Sequence, residues 1–447
     1  MQVSVETLND LERRMTVQVP AERVAKEIQD RLVTMSRKVK VAGFRPGKAP
    51  LKLVKRMYGD QVLYETVSEL MQNSLRDALV QENLTPLGGP SIEPKPLEEG
   101  QALEYSATFE VMPEFEPFGF ENIKIERPVA EVTEQDVDHM IETLRQQRAI
   151  WNAVERPVRD GDRVRVDFVG KIDGQDFAGI KGENTQIVLD GKSLLPDFQA
   201  PLIGLSPGAE IEFDLTFPED YQAREVAGKT ARFQVKLHET EEARLPEVDE
   251  AFVASFDVKE GGVAGLRQAL RENMERELRE GIRAAIKRQV MQGLLAVNAI
   301  PLPRALVEIE IESLANQLNL QTDGVDAGVR EKVQQFKTQL FEAEARRRVA
   351  LGLLISKLAA NQSILVDEGR VRARLDALAS PYEEPAEVMR WYEQTPNALD
   401  SLRAVVLEEQ VVDWILERAQ LTEKVSTFAE IMTPNKPAAT APAESAE

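Results

Sequence analysis

From Leu266 to Leu294 an apolar residue recurs at every fourth position: Leu266, Leu270, Met274, Leu278, Ile282, Ile286, Val290 and Leu294. That spacing lies close to the 3.6 residues of an α-helical turn, so the stretch predicts one long helix with a single apolar side. Pro301 and Pro303 end it. Further helices are expected near 303–322, 329–361, 367–380, 385–394 and 397–421, with Asp367 as the N-cap of the third. Residues 246–432 therefore read as an all-α domain. The last stretch, 433–447, is rich in Pro and Ala and is expected to be disordered.

A chain of 447 residues corresponds to about three domains, and the texture before residue 246 changes twice. Residues 1–112 read as α+β. Met15, Val17 and Val19 alternate as a strand, Pro20 opens a helix to about Lys38, and two helices fit 50–58 and 60–83. Tyr105, Ala107, Phe109 and Val111 then alternate again. Residues 113–150 read as a Pro- and Glu-rich extended linker leading into a helix at 133–150. Residues 151–245 read as a compact β-rich domain. There Val164, Val166 and Phe168 alternate, then Ile211, Phe213, Leu215 and Phe217, then Ala231, Phe233, Val235 and Leu237. Asp160-Gly161 and Asp173-Gly174 supply turns. A second acidic junction, 239–250, comes next.

Composition removes whole classes of chemistry. There is no cysteine, so disulfides, thiolate nucleophiles and Cys-ligated zinc or iron–sulfur clusters are excluded. His139 and His238 are the two histidines and lie far apart in sequence, which leaves little material for a metal site or a Ser–His triad. No metal and no cofactor are expected. No Gly-x-x-x-x-Gly-Lys-Ser/Thr phosphate loop occurs, in agreement with ATP independence. The first residues lack a basic leader with an apolar core, and Val349–Ile355 is too short to span a bilayer. A soluble, cytoplasmic protein without membrane contact is the expectation.

Charge is unevenly distributed. Asp and Glu outnumber Lys and Arg 76 to 55, a formal net charge of −21. Yet Arg37, Lys38, Lys40, Arg45, Lys48, Lys52, Lys55 and Arg56 fall within twenty positions that hold no acid. Without those eight the chain would carry −29. At the centre lies Gly43-Phe44-Arg45-Pro46-Gly47-Lys48-Ala49-Pro50, whose glycines and prolines fix a tight loop from which Phe44 and Arg45 project. Three readings remain open at this level: a solvated loop between helices, a nucleic-acid patch, or a docking surface for a mixed protein and phosphate partner. The overall acidity disfavours the second.

The GFRPGKAP octapeptide, placed after a strand–helix pair, resembles the signature of the bacterial trigger factor family, and the three-part order agrees over residues 1–432. The resemblance implies a multidomain α+β fold, with an α+β ribosome-binding domain, an FKBP-like β-rich middle domain, and a long helical chaperone domain with arm-like projections. It also implies that Gly43, Phe44, Arg45, Pro46, Gly47 and Lys48 form the ribosome-binding loop, docking on an exit-tunnel protein and adjoining rRNA. Pro46 stands where relatives often carry Lys. By the same resemblance, nascent and unfolded polypeptides are the clients, held open in the cytoplasm, with a weak homodimer off the ribosome. Roles in protein folding, protein transport and cell division accompany the family.

In the middle domain, aromatics on alternating strands are ordinary core by pattern alone. The segments nevertheless resemble FKBP-type prolyl isomerases at Asp167-Phe168-Val169-Gly170, Phe177, Leu195-Pro196-Asp197-Phe198, Gly204-Leu205, Pro207-Gly208 and Phe233-Gln234-Val235. The resemblance implies a proline pocket lined by Phe168, Phe177, Leu194, Leu195, Phe198, Tyr221 and Phe233, and hence rotamase activity. Rotation about X–Pro must cross roughly 18–20 kcal/mol of amide resonance. A dry apolar pocket disfavours the charge-separated planar amide without base, metal or cofactor. Ala178 replaces the usual acid after the second Phe, Asp197 replaces a usual glycine, and the segment 186–193 is altered. These departures imply activity reduced or shifted in preference. The alternative function is a free cytosolic prolyl isomerase whose helical domain recruits substrates.

Overall fold

The computed structural model describes residues 1–39, 44, 50–96, 100–172, 175–191, 195–219, 221, 226–256, 258, 261–318, 327–380, 382 and 384–433, without the side chains of 175–179 and 327–331. The expected turn at Asp173-Gly174 and the expected disorder beyond 433 lie outside these residues. The chain divides into two units, Met1–Arg127 with Ala284–Lys424, and Pro128–Arg283 with Val425–Glu447.

Strands β1 (Gln2–Thr7) and β2 (Glu12–Val19) lead into helices α1 (Ala21–Lys38) and α2 (Leu51–Gln81), followed by β3 (Leu87–Pro94) and β4 (Leu103–Glu110). The strands form one antiparallel sheet in the order β1-β2-β4-β3. Alternation works as expected: Met15, Val17, Val19, Leu103, Tyr105, Ala107 and Phe109 share a core with Val24, Leu70, Leu75 and Ala78 of the helices. Tyr105 is fully buried. Its hydroxyl lies 2.8 Å from Ser74 Oγ and donates to the Met71 carbonyl at 3.1 Å. Burial pushes its phenol up from the ordinary value, against the hydrogen bond from Ser74.

The two helices expected over 50–58 and 60–83 are one. Gly59 costs a helix interior about 1 kcal/mol relative to Ala, which the packing of Val54 and Val62 against Leu32 on either side of it offsets. The Pro- and Glu-rich stretch after β4 is extended, as expected, but it is not free. Phe115, Phe120, Ile123 and Ile125 are packed into a core with residues of the later helices, and β5 (Lys124–Val129) forms a two-stranded sheet with a strand near the C-terminus.

Helix α3 (Glu134–Gln147) starts with a capping box between Thr133 and Asp136. Strands β6 (Ile150–Val154), β7 (Arg163–Ile172), β8 (Gln175–Val188), β9 (Glu210–Thr216) and β10 (Thr230–Arg244) build the second sheet, with the short helix α4 (Pro196–Gln199) between β8 and β9. The order is β6-β10-β7-β8, with β9 on β10. The Asp160-Gly161 turn forms, Gly161 taking φ +86°. Beside it the buried Asp162 carboxylate accepts both guanidinium nitrogens of Arg156, at 2.7 and 3.0 Å, and the Arg159 amide at 2.8 Å. β10 runs into the acidic junction as far as Arg244, pairing there with β6.

Helix α5 (Glu250–Ala254) precedes the long helix α6 (Gly262–Val297), whose repeating apolar side divides between cores. Leu266 packs with Phe252 and Val253. Met274 and Leu278 pack with Val132, Val137 and Ile141. Val290 and Leu294 pack with Ile123, Ile125 and the later helices. Those are α7 (Arg304–Gln317), α8 (Ala327–Asn361), α9 (Glu368–Ala379), α10 (Pro385–Gln394) and α11 (Pro396–Leu416). Asp367 caps α9 as expected, accepting from the Gly369 and Arg370 amides. α11 stops at Leu416 instead of 421 because the chain turns into β11 (Gln420–Val425), the partner of β5, before the one-turn helix α12 (Phe428–Met432). Val307, Ile311 and Leu314 of α7 meet Phe341 and Ala345 of α8, and Val371 and Leu375 of α9 meet Leu402 and Val406 of α11. Ile309, Phe336, Leu340, Tyr382 and Trp391 remain exposed.

Candidate functional site: an aromatic floor and a basic loop

The inward residues of β7, β9 and β10 and the short α4 converge on one group of rings. Phe198 of α4 stands edge-on to Phe233 of β10 at 5.2 Å between centroids and 86°, and to Phe168 of β7 at 5.7 Å and 76°. Phe168 and Phe233 are 6.4 Å apart. Pro196 at the first turn of α4 sets the helix entry, and Leu195 before it is half-buried against the same group. Edge-to-face geometry places the positive ring edge on the negative face, which fixes orientation as well as burying area.

Sequence reasoning places Phe168, Leu195, Phe198 and Phe233 together, and the structure brings them together. Tyr221 is more peripheral: it is exposed and its ring meets Phe217 at 4.9 Å, with Phe217 in turn 6.3 Å from Phe233. Leu194 lies outside the described residues, and of Phe177 only its place in β8 is described. Phe213 is a further member of this ring group that sequence reasoning does not single out. Partly exposed, it stacks on Phe233 at 5.9 Å and 19° and meets Phe198 edge-on at 5.5 Å. In the sequence it is only one of four alternating residues on β9, and alternation does not separate the rim of a floor from its centre.

The opposite face of the sheet is polar. Asp167 Oδ1 accepts the Asn184 amide at 2.6 Å and Oδ2 lies 2.7 Å from His238 Nε2. The Asn184 amide first, and His238 second, hold the Asp167 carboxyl below the ordinary carboxylate value. Lys236–Glu210 and Arg232–Asp214 pairs cross from β10 to β9, at 2.7 and 2.9 Å. Among the described residues no group of three or more His, Asp or Glu side chains is placed to hold a metal ion.

Of the basic octapeptide, Phe44 and Pro50 are described. Gly43, Arg45, Pro46, Gly47 and Lys48 lie outside the described residues. Phe44 is 43% exposed. Pro50 is the residue before α2, and Leu32, Val54 and Val62, with Tyr58, pack α1 against α2. Among the described residues no helix is long and apolar enough to cross a membrane.

Such a β-sheet floor of aromatics under a short helix defines an FKBP-type prolyl isomerase domain, and residues 154–238 match the family described as FKBP-type peptidyl-prolyl cis-trans isomerase. Residues 1–144 match the bacterial trigger factor protein family, and residues 262–417 match that family's C-terminal part. The trigger factor of Thioalkalivibrio sulfidiphilus is 48% identical over 436 residues, 98% of this chain and 99% of that one. The trigger factor of Stutzerimonas stutzeri is 45% identical over 434 residues, covering 97% and 98%. A solved structure of the trigger factor chaperone, from work on its promiscuous substrate recognition in folding and assembly, aligns with a TM-score of 0.50 at 19% identity, over 93% of this chain and 99% of that one; that likeness concerns the fold. The chain belongs to the bacterial trigger factor family. It is a ribosome-associated chaperone that carries an FKBP-type prolyl isomerase domain.

Proposed function

We propose that this chaperone docks beside the ribosomal exit tunnel, on a tunnel protein and adjoining rRNA, through the loop Gly43–Lys48, and that Phe44 and Arg45 carry the contact. The reading is supported by the exposed Phe44 ring at the centre of an acid-free basic stretch. An aromatic anchor beside a guanidinium suits a protein surface bordered by phosphates. The remaining charge of −29 disfavours attachment to RNA elsewhere. The protein then works in the cytoplasm, holds newly made chains in an open conformation without ATP, and associates weakly with itself off the ribosome. Residues 1–112 serve docking, 151–245 isomerisation and 246–432 client binding.

For isomerisation, Phe168, Phe198 and Phe233 are the floor on which a prolyl ring rests, with Leu195 and Tyr221 beside it and Phe177 and Leu194 completing the lining. The single observation that carries this is the mutual ring contact of the first three within the FKBP-type segment. The apolar surface favours the twisted amide, whose carbonyl and nitrogen are no longer joined by charge-separated resonance. Replacing Phe44 and Arg45 together by Ala tests the docking: co-sedimentation with ribosomes should weaken by about thirtyfold or more, the loss of an interface anchor. Unchanged co-sedimentation overturns docking by this loop.

A further inference from the structure

Of the register irregularities along the strand that carries Phe168, two meet at Asp167. Between β7 and β8, Val166 pairs with Thr185 and Phe168 with Gly182, so Glu183 and Asn184 together oppose Asp167. Between β7 and β10, Leu237 pairs with Val166 and Glu239 with Arg165, leaving His238 as the extra residue. Bulges leave a backbone group outside the ladder, bend the strand and re-aim the side chains beside them. Here one carboxylate reaches both. Asp167 Oδ1 accepts the amide of Asn184, which sits in the left-handed region at φ +53°, and Oδ2 is bonded to His238 Nε2.

The β8 bulge has a consequence on the other face. It presses Gly182 onto the Phe168 ring so closely that a Cβ there would stand 2.5 Å from Phe168 Cε1. Phe168 follows Asp167 directly and points to the opposite side, where its ring meets Phe198 and Phe233. The neighbouring charges are occupied with each other: Lys236 with Glu210, Arg165 with Glu239, and Lys181 with Glu183. As a half-exposed hydrogen bond Asp167–His238 adds little stability. Its geometric action, closing the bulge amide and tying three strands at one point, is the larger effect.

We infer that Asp167 is a positioning residue for prolyl isomerisation: by pinning the bulges of β8 and β10 it seats the Phe168 ring in the floor. The inference rests on the reading of that floor as the prolyl site. Misplacing a ring that still offers apolar surface weakens complementarity to the twisted amide more than it weakens ground-state binding, so kcat should move and KM should not.

The test uses the full chain and a prolyl tetrapeptide. Asp167→Ala should lower kcat by about tenfold with KM within about twofold, whereas Asp167→Asn, which keeps an oxygen for the Asn184 amide, should return to within about threefold of the parent. Parent-like kcat in Asp167→Ala, or equal loss in Asp167→Asn, overturns the inference. Phe198→Ala is measured alongside. If it keeps the parent rate the prolyl site is misplaced and the inference falls with it; if it loses rate while Asp167→Ala does not, the inference alone falls. Should Asp167→Ala not fold, His238→Ala removes one arm of the clamp, and an unchanged kcat there overturns the inference equally.

Discussion

Phe198 and Phe233 meet edge to face at 5.2 Å, one from a four-residue helix and the other from the central strand of the sheet. The short helix has little hydrogen bonding of its own to hold it, so this ring contact, with those to Phe168 and Phe213, is what anchors α4 on the floor. Phe198→Ala should therefore cost the isomerase domain about 3 kcal/mol as well as most of its turnover. Denaturant unfolding and tetrapeptide isomerisation measure the two losses. Retention of rate with loss of stability would leave Phe198 as core alone.

Gly182→Ala should slow isomerisation. The added methyl would lie 2.5 Å from Phe168 Cε1 and 2.6 Å from Thr185 Oγ1, so the ring or the bulge must shift. Overpacking of this kind costs about 1–3 kcal/mol. A thermal melt and a rate measured on the same preparation check both effects.

The N-terminal core should weaken in alkali. Tyr105 has a folded-state phenol value raised by burial, so its contribution is fully present below the unfolded value of about 10 and is lost as pH rises through the folded one. Tyr105→Phe should remove that part of the pH dependence. At neutral pH it should cost about 1 kcal/mol for the bonds to Ser74 and Met71. Stability curves at neutral and alkaline pH decide it.

Lys337 is 2% exposed and its ammonium pairs with the half-exposed Glu312 at 2.9 Å. Removing one partner strands a buried charge, while replacing the cation with an apolar chain of similar length does not. Glu312→Gln should thus destabilise the α7–α8 pair by about 1 kcal/mol or more, and Lys337→Met should be neutral or stabilising. Helical melting of the two variants gives opposite signs if the pair behaves this way.

An element is legible in the sequence to the extent that it buries one face. β2 and β4 each cover one side of a core, so their alternation is clean. β3, Leu-Gly-Gly-Pro-Ser-Ile-Glu-Pro, is an edge strand with two glycines and two prolines, and β11 is exposed along its whole length; neither carries a periodic signal. Gly59 reads as a break because propensity is local, whereas the packing of Val54 and Val62 that overrides it is not. At the site, Phe168, Phe198 and Phe233 are legible through family segments. Phe213 and the Asp167 clamp are not, since both depend on strand register and bulge position, which alternation along a single strand does not carry.

The start of α2 carries Lys52, Lys55 and Arg56 and no acid in its first turn. A helix N-terminus has its own partial positive charge, so Lys52, in the first turn of α2, stands where the helix field opposes it, by about 0.3–1 kcal/mol. Arg37 and Lys38, at the end of α1, stand where the field favours them. The first turn of α2 therefore carries a cation that its own helix field opposes. If the chain docks by the proposed loop, a polyanionic partner would relieve that opposition, and part of the drive to dock would come from the release of repulsion within the protein itself.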